Sequence, residues 1–194
     1  SGMLQLAASS KYLISPLLAA TALAIRLDSP GPVFYTQTRV GQDGKPFTMW
    51  KFRSMYIDSD ARRASVVKAG GDAGNEVMFK DRQDPRITRV GRWIRRLSID
   101  ELPQLINVVR GDMSLVGPRP ALPVEVAKYD AEALRRLLVK PGLTGLWQIS
   151  GRSDLSWAST VALDRHYVEN RGGALDAKIF AGTLRAVIGG KGAY

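Results

Sequence analysis

An uncharged apolar run with a proline inside it sets the first limit on what this chain can fold into. Tyr12 to Ile25 reads YLISPLLAATALAI, with Lys11 before it and Arg26 after it. A helix crossing a bilayer needs about 20 apolar residues, whereas a run of about 10–14 more often forms a re-entrant, interfacial or buried segment. Met3 to Ala8 add apolar length, but Gln5, Ser9, Ser10 and Lys11 interrupt it. Pro16 removes a helical hydrogen bond and clashes with the carbonyl four residues back, so it kinks a helix. Ser15 can bond a freed carbonyl locally. A kinked helix with cations at both ends can enter one leaflet and return to the same anionic surface. Residues 3–27 are therefore expected to form a re-entrant membrane helix broken at Ser15 and Pro16. A signal-peptide core, a buried soluble helix and a truncated bitopic span compete with that reading. The signal reading suffers because Leu27-Asp28-Ser29-Pro30 is a poor cleavage site. Ser1–Gly2 reads as a remnant of tag cleavage and is left out of fold reasoning.

The 194 residues suffice for one ordinary domain with a real core. The absence of cysteine excludes disulfides and thiolate metal sites. A single histidine, His166, rules out a His-rich zinc site, and helix packing with a polar tip at the surface accounts for it. The formal net charge of +10 points to a polyanionic partner: nucleic acid, an anionic membrane or a phosphorylated substrate.

Ser29–Gly41 opens with a Pro-Gly-Pro turn and continues as an extended stretch. Gln42-Asp43-Gly44-Lys45 reads as a hairpin loop and Pro46–Phe52 as the returning strand. Lys51 and Arg53 share one face of such a strand, where two cations can grip a diphosphate or simply face water. Ile57 to Lys68 reads as a polar helix and Ala69–Asn75 as a Gly-rich loop. That loop lacks the Lys-Ser/Thr ending of a P-loop, and no G-x-G-x-x-G follows a strand. Asp84-Pro85 reads as the start of a helix. In it Ile87, Val90, Ile94 and Leu97 form an apolar face, Arg86, Arg89, Arg92 and Arg96 another, with Trp93 between. A basic amphipathic helix with Trp suits a membrane interface, a nucleic acid or a solvated surface.

Ser98-Ile99-Asp100-Glu101 matches a capping box, Ser98 as N-cap and Glu101 three residues on. Capping explains both acids, since carboxylates suit a first helical turn. The adjacent acids after an arginine-rich helix equally suit phosphate chemistry. An ionised Asp100 can attack phosphorus, and Glu101 can take a proton or share a Mg²⁺ ion bound mainly through substrate phosphates. Gly117-Pro118-Arg119-Pro120 offers Arg119 on a stiff, non-helical turn. Residue spacing leaves the acidic pair balanced between cap and active site. Trp147 and Gln148, after Pro141-Gly142, are balanced between a strand and turn supporting the core and a pocket role.

Five motifs in order resolve that balance: LDSPGPVFYTQTRVG, FTMWKFRSM, DPRITRVGRWIRRLSIDELPQL, GDMSLVGPRP and KPGLTGLWQISGRS. They run from Leu27 toward Tyr167, and the terminal GKGAY agrees with them. With them the chain resembles the bacterial sugar transferases, the monotopic polyprenyl-phosphate phosphoglycosyl transferases of the undecaprenyl-phosphate hexose-phosphotransferase type. The resemblance implies an α/β fold: a compact non-Rossmann catalytic domain over residues 28–194, with interfacial amphipathic helices beside the re-entrant helix. It implies transfer of a sugar 1-phosphate from a UDP-sugar to polyprenyl phosphate, through a phosphosugar held on Asp100, with release of UMP. Asp100 is the implied nucleophile; Glu101 assists, and the two are the implied Mg²⁺ ligands. Lys51, Arg53, Arg95, Arg119 and Asp164 are the implied substrate-binding residues, and Ser15-Pro16 the implied helix break. The implied location is the cytoplasmic face of the bacterial inner membrane, among its lipids, with a homodimer suggested by larger relatives and no nucleic-acid partner. The chain departs from the family pattern at Arg171-Gly172-Gly173-Ala174, where relatives carry an aromatic, apolar stretch. The alternative is a basic membrane-surface or nucleic-acid-binding module without catalysis.

Overall fold

A computed structural model describes residues 16–59, 84–151 and 155–188. Ser15, the polar stretch after Ser59 and the Gly-rich loop 69–75 lie outside these residues. So does any part of the expected re-entrant helix before Pro16.

Residues 16–28 are helical (α1). Thr21 and Ile25 face inward, one turn apart, with Leu18 and Ala22 beside them. Leu17, Leu23 and Leu27 point outward and are exposed. No helix of the described residues is long and apolar enough to cross a membrane.

The expected hairpin forms. Strands β1 (Phe34–Val40) and β2 (Pro46–Phe52) pair antiparallel, with Phe34 opposite Phe52 and Val40 opposite Pro46. Asp43 and Gly44 both take positive φ in the connecting turn, the conformation that Asp-Gly tolerates at low cost. The outer edge of β2 meets a side chain instead of a third strand. The wholly buried Asn107 accepts from Trp50 N–H (3.1 Å) and donates to the Thr48 carbonyl (2.7 Å), as a strand neighbour would.

Helix α2 (Arg89–Arg96) begins later than expected. Asp84-Pro85 forms a turn instead, and Asp84 pairs with Arg86, both side chains buried. The helix starts behind Thr88, whose hydroxyl accepts from Gly91 N–H at 2.9 Å. Arg86 therefore leaves the arginine face, while Arg89, Arg92, Trp93 and Arg96 remain exposed. Ile94, Ile25 and Phe52 form one buried cluster, so α1, β2 and α2 share a core.

After a 3₁₀ turn over Ile99–Gln104 come α3 (Leu105–Arg110) and β3 (Ser114–Val116). The short helices α4 (Pro123–Val126) and α5 (Ala131–Leu134) follow, then β4 (Gly142–Thr144) and α6 (Leu146–Ile149). The chain closes with α7 (Trp157–Asn170) and α8 (Gly173–Ile188). β3 and β4 pair parallel, with no other strand beside them among the described residues. A second cluster of Val116, Val139, Tyr167, Val168 and Ile179 joins β3 to α7 and α8. The fold is thus mixed helix and sheet, with two small sheets and no doubly wound parallel sheet among the described residues. The atypical Arg171–Ala174 is a tight joint, with α8 starting at Gly173.

Candidate active site

A cavity of about 420 Å³ takes its lining from both halves. Arg39, Lys51, Arg95 and Arg119 bring four cations to it, and Glu101 an acid. Leu97, Leu102, Leu115 and Leu143 line it as well, with Phe180, Leu184 and Val187 of α8. One cavity therefore combines a basic wall with an extensive apolar one.

Glu101 reaches this cavity, with Asp100 behind it, by a route other than a capping box. Ser98 has φ 55 and makes no side-chain cap. It is the left-handed residue that ends α2, and its N–H bonds to the Arg95 carbonyl at 3.0 Å. The next turn is 3₁₀ rather than α because Pro103 lacks an N–H and its ring excludes α geometry behind it. The chain reverses at Ser98 and presents Asp100 and Glu101 beneath β2.

Their environments differ. Glu101 lines the cavity and its Oε1 accepts from Lys51 Nζ at 2.8 Å. Asp100 is buried one layer behind, 8% exposed, with Oδ1 covered and without a hydrogen-bond partner. Burial pushes its carboxyl up to about 6, with Lys51 pulling down, Glu101 pushing up and Arg95 pulling down. At pH 7 such a group is roughly nine-tenths ionised. The expectation that a helix terminus would favour its charged form is thus reversed: desolvation outweighs the nearby cations. No group of three or more His, Asp or Glu able to hold a metal occurs among the described residues. Two adjacent carboxylates, one with an unused buried oxygen, nevertheless fit Mg²⁺, which takes most of its ligands from phosphate and water.

The other expected residues divide. Lys51, Arg95 and Arg119 line the cavity. Arg119 is held by Glu125 (3.1 Å), whose Oε2 also accepts from Leu122 N–H at 2.7 Å. Arg53 goes elsewhere. β2 ends at Phe52, and the Arg53 guanidinium donates to the carbonyls of Pro30 (2.6 Å), Ser29 (2.8 Å) and Ile25 (3.4 Å), closing the C-terminal end of α1. Asp164 lies outside the cavity lining, wholly buried and paired with Arg136 at 2.7 Å. Arg136 also donates to Tyr129 Oη and stacks on Tyr129 and Trp157. Burial raises the Asp164 carboxyl to about 6 against the pull of Arg136. Trp147 and Gln148, balanced in the sequence between a core strand and turn and a pocket role, line the cavity from helix α6. His166 is exposed on α7, beside Asn170.

Arg39 escaped sequence reasoning. It sits at the end of β1, 8% exposed and on the cavity lining. A charge inside TQTRVG looks like a solvated strand residue; only the pairing of Val40 with Ala121 buries it.

Comparison with known proteins follows the same lines. A family model described as "Bacterial sugar transferase" matches residues 4–190. The chain is 43% identical to the exopolysaccharide production protein ExoY of Sinorhizobium fredii, covering 93% of this chain and 81% of that one. It is 43% identical to the undecaprenyl-phosphate galactose phosphotransferase of Salmonella typhimurium, covering 93% of this chain but 38% of that protein. The undecaprenyl-phosphate glucose phosphotransferase of Komagataeibacter xylinus is 45% identical, with 93% of this chain and 34% of that one covered. The chain thus spans about four-fifths of the ExoY relative and little more than a third of the larger ones. A family match over residues 4–190, with relatives 43–45% identical over 93% of the chain, means that this protein belongs to the bacterial sugar transferase family and is a transferase.

Proposed function

We propose that the protein transfers a sugar 1-phosphate from a UDP-sugar to polyprenyl phosphate in exopolysaccharide synthesis, working at the cytoplasmic face of the inner membrane. The observation that carries this reading is the single cavity whose one wall is basic, beside Asp100 and Glu101, and whose other wall is apolar. Phosphates suit the first wall and an isoprenoid the second. The names of the relatives, undecaprenyl-phosphate galactose and glucose phosphotransferases, support the same chemistry. The exposed Leu17, Leu23 and Leu27 on α1, with Trp93 among arginines on α2, agree with a lipid surface.

In this reading an Asp100 oxygen attacks the β-phosphorus of the UDP-sugar. The bond from that phosphorus to the oxygen bridging the two phosphates breaks, and UMP leaves. The phosphosugar stays on the Asp100 carboxylate. A phosphate oxygen of polyprenyl phosphate then attacks the same phosphorus and frees Asp100. Lys51, Arg95 and Arg119 hold the phosphoryl oxygens while charge develops on them. Glu101 positions Lys51 and assists Asp100. Mg²⁺, held by Asp100 and Glu101, would neutralise phosphate charge when bound.

The test is single-turnover incubation with a UDP-hexose labelled in the β-phosphate. UMP release without acceptor, with label retained on Asp100 by peptide mass, is expected from the wild type and absent from Asp100→Asn. Release of UMP by that variant at the wild-type rate refutes the nucleophile. Undiminished turnover in EDTA refutes the metal role.

A further inference from the structure

Arg39 poses an electrostatic problem that the chain alone leaves unsolved. Lys51 and Arg119 each have a carboxylate partner at the cavity, Glu101 and Glu125. Arg39 is more buried than either, and no carboxylate lies within salt-bridge distance of it among the described residues. Its guanidinium donates to the Pro120 carbonyl (3.0 Å) and to Gln37 Oε1 (2.6 Å), both neutral, and its Nε has no partner. A buried charge without a counter-ion is strongly unfavourable. It is tolerated where an anionic ligand completes the set.

The neighbouring cation makes the point sharper. Burial first, and then the charge of Arg119, lower the Arg39 group to about 10 against the weaker upward pull of Glu125, Tyr35 and Glu101, so it stays protonated at neutral pH beside a second cation. The two are also fixed relative to each other. Val40 N–H bonds to the Ala121 carbonyl at 2.9 Å, and Arg39 itself grips Pro120, the residue after Arg119. Pro118 and Pro120 stiffen that segment. Glu125 accepts from Arg119 Nη1 with both oxygens and from Nη2 with one, which takes at most three of the five N–H donors and leaves others for a ligand.

We propose that Arg39 and Arg119 together form a phosphate-binding subsite of the cavity, with Arg39 supplying a buried charge that no protein carboxylate contacts directly. Its ligand is a phosphate or diphosphate group. In the phosphotransfer reading, on which the physiological source rests, that group belongs to the nucleotide of the donor or to the lipid acceptor. Binding needs no turnover, so it is measured apart from that reading.

Inorganic diphosphate is titrated calorimetrically into the full chain in detergent micelles. The wild type binds it. Arg39→Met weakens binding roughly 10–100-fold, the effect of losing charge-assisted hydrogen bonds, and Arg39→Lys weakens it less. Arg92→Met, which removes an exposed arginine of α2, leaves it unchanged. Uridine 5′-diphosphate and farnesyl phosphate serve as the two competitors. Whichever loses affinity in Arg39→Met identifies the source. Should Arg39→Met misfold, diphosphate protection of Arg39 from phenylglyoxal in the wild type, read by peptide mass, supplies the answer. No diphosphate binding by the wild type, equal effects of the Arg39 and Arg92 variants, both competitors undiminished, or unprotected Arg39 would overturn the proposal. Wild-type binding with an Asp100→Asn variant that still transfers sugar would overturn the nucleophile and leave this subsite standing.

Discussion

Replacing Asp100 by Asn should make the protein more stable while destroying its activity, and the gain should depend on pH. The Asp100 carboxyl is pushed by burial from its ordinary 3.8 to about 6. Below pH 3.8 the group is neutral in both folded and unfolded chains, and its burial carries no ionic penalty. Between the two values the folded chain holds a proton that the unfolded chain has lost. Stability therefore falls as pH rises, until both states are ionised above pH 6. The accumulated penalty is about 3 kcal/mol. Asn has no charge to bury and escapes it. Relative to wild type, the advantage of Asp100→Asn should grow by about 2.5 kcal/mol between pH 4 and pH 8, reaching about 3 kcal/mol at pH 8. At pH 8 that corresponds to a melting temperature higher by roughly 6–12 °C for a chain of this size. Urea unfolding in micelles, followed by tryptophan fluorescence at both pH values, measures it. Asp164 gives wild type and variant the same background slope, so only their difference reports Asp100. A variant no more stable relative to wild type at pH 8 than at pH 4 would refute the claim that Asp100 is held ionised at a folding cost.

The same raised value should appear in kinetics: if the ionised carboxylate attacks, the rate of UMP release should climb with pH through about 6, and a flat profile from pH 5 to 8 would contradict it. Asp164→Ala should cost about 3–5 kcal/mol in denaturant unfolding, because it strands a buried Arg136; a loss under about 1 kcal/mol would mean that the pair is dispensable. Gly142→Ala should prevent soluble folding, since its Cβ would stand 2.1 Å from Gly117 N and 2.4 Å from the Thr144 carbonyl; normal yield and melting would show that β3 and β4 separate at little cost.

Local signals in the sequence were dependable where one residue decides the geometry. The Asp-Gly turn set the hairpin and its register, and the prolines around Arg119 kept that segment out of helix. Reading failed where a residue had two plausible neighbours. Ser98 has the composition of an N-cap but serves the helix before it, because Pro103 forbids an α-helix directly after. Lys51 and Arg53 share a strand face by alternation, yet the strand stops between them and only Lys51 reaches the cavity. Asp164, a site residue by family resemblance, is placed outside the cavity lining in a wholly buried ion pair with Arg136. Asn107 and Arg39 carried no periodic signal, since their partners lie 57 to 81 residues away. The family motifs named the acidic pair; they did not convey that its two members occupy different depths.

The ends of α1 and α2 are tied crosswise. Arg53 grips the Ile25 carbonyl in the last turn of α1 and the Ser29 and Pro30 carbonyls just after it, while Asp28, at the end of α1, accepts from Val90 N–H at the start of α2. Lys51 lies two residues from one knot, and Arg95 lies on the helix that begins at the other. These bonds tie the end of α1 to the two segments that carry Lys51 and Arg95, so a change in the seating of α1 has a hydrogen-bonded route to both sides of the acidic pair.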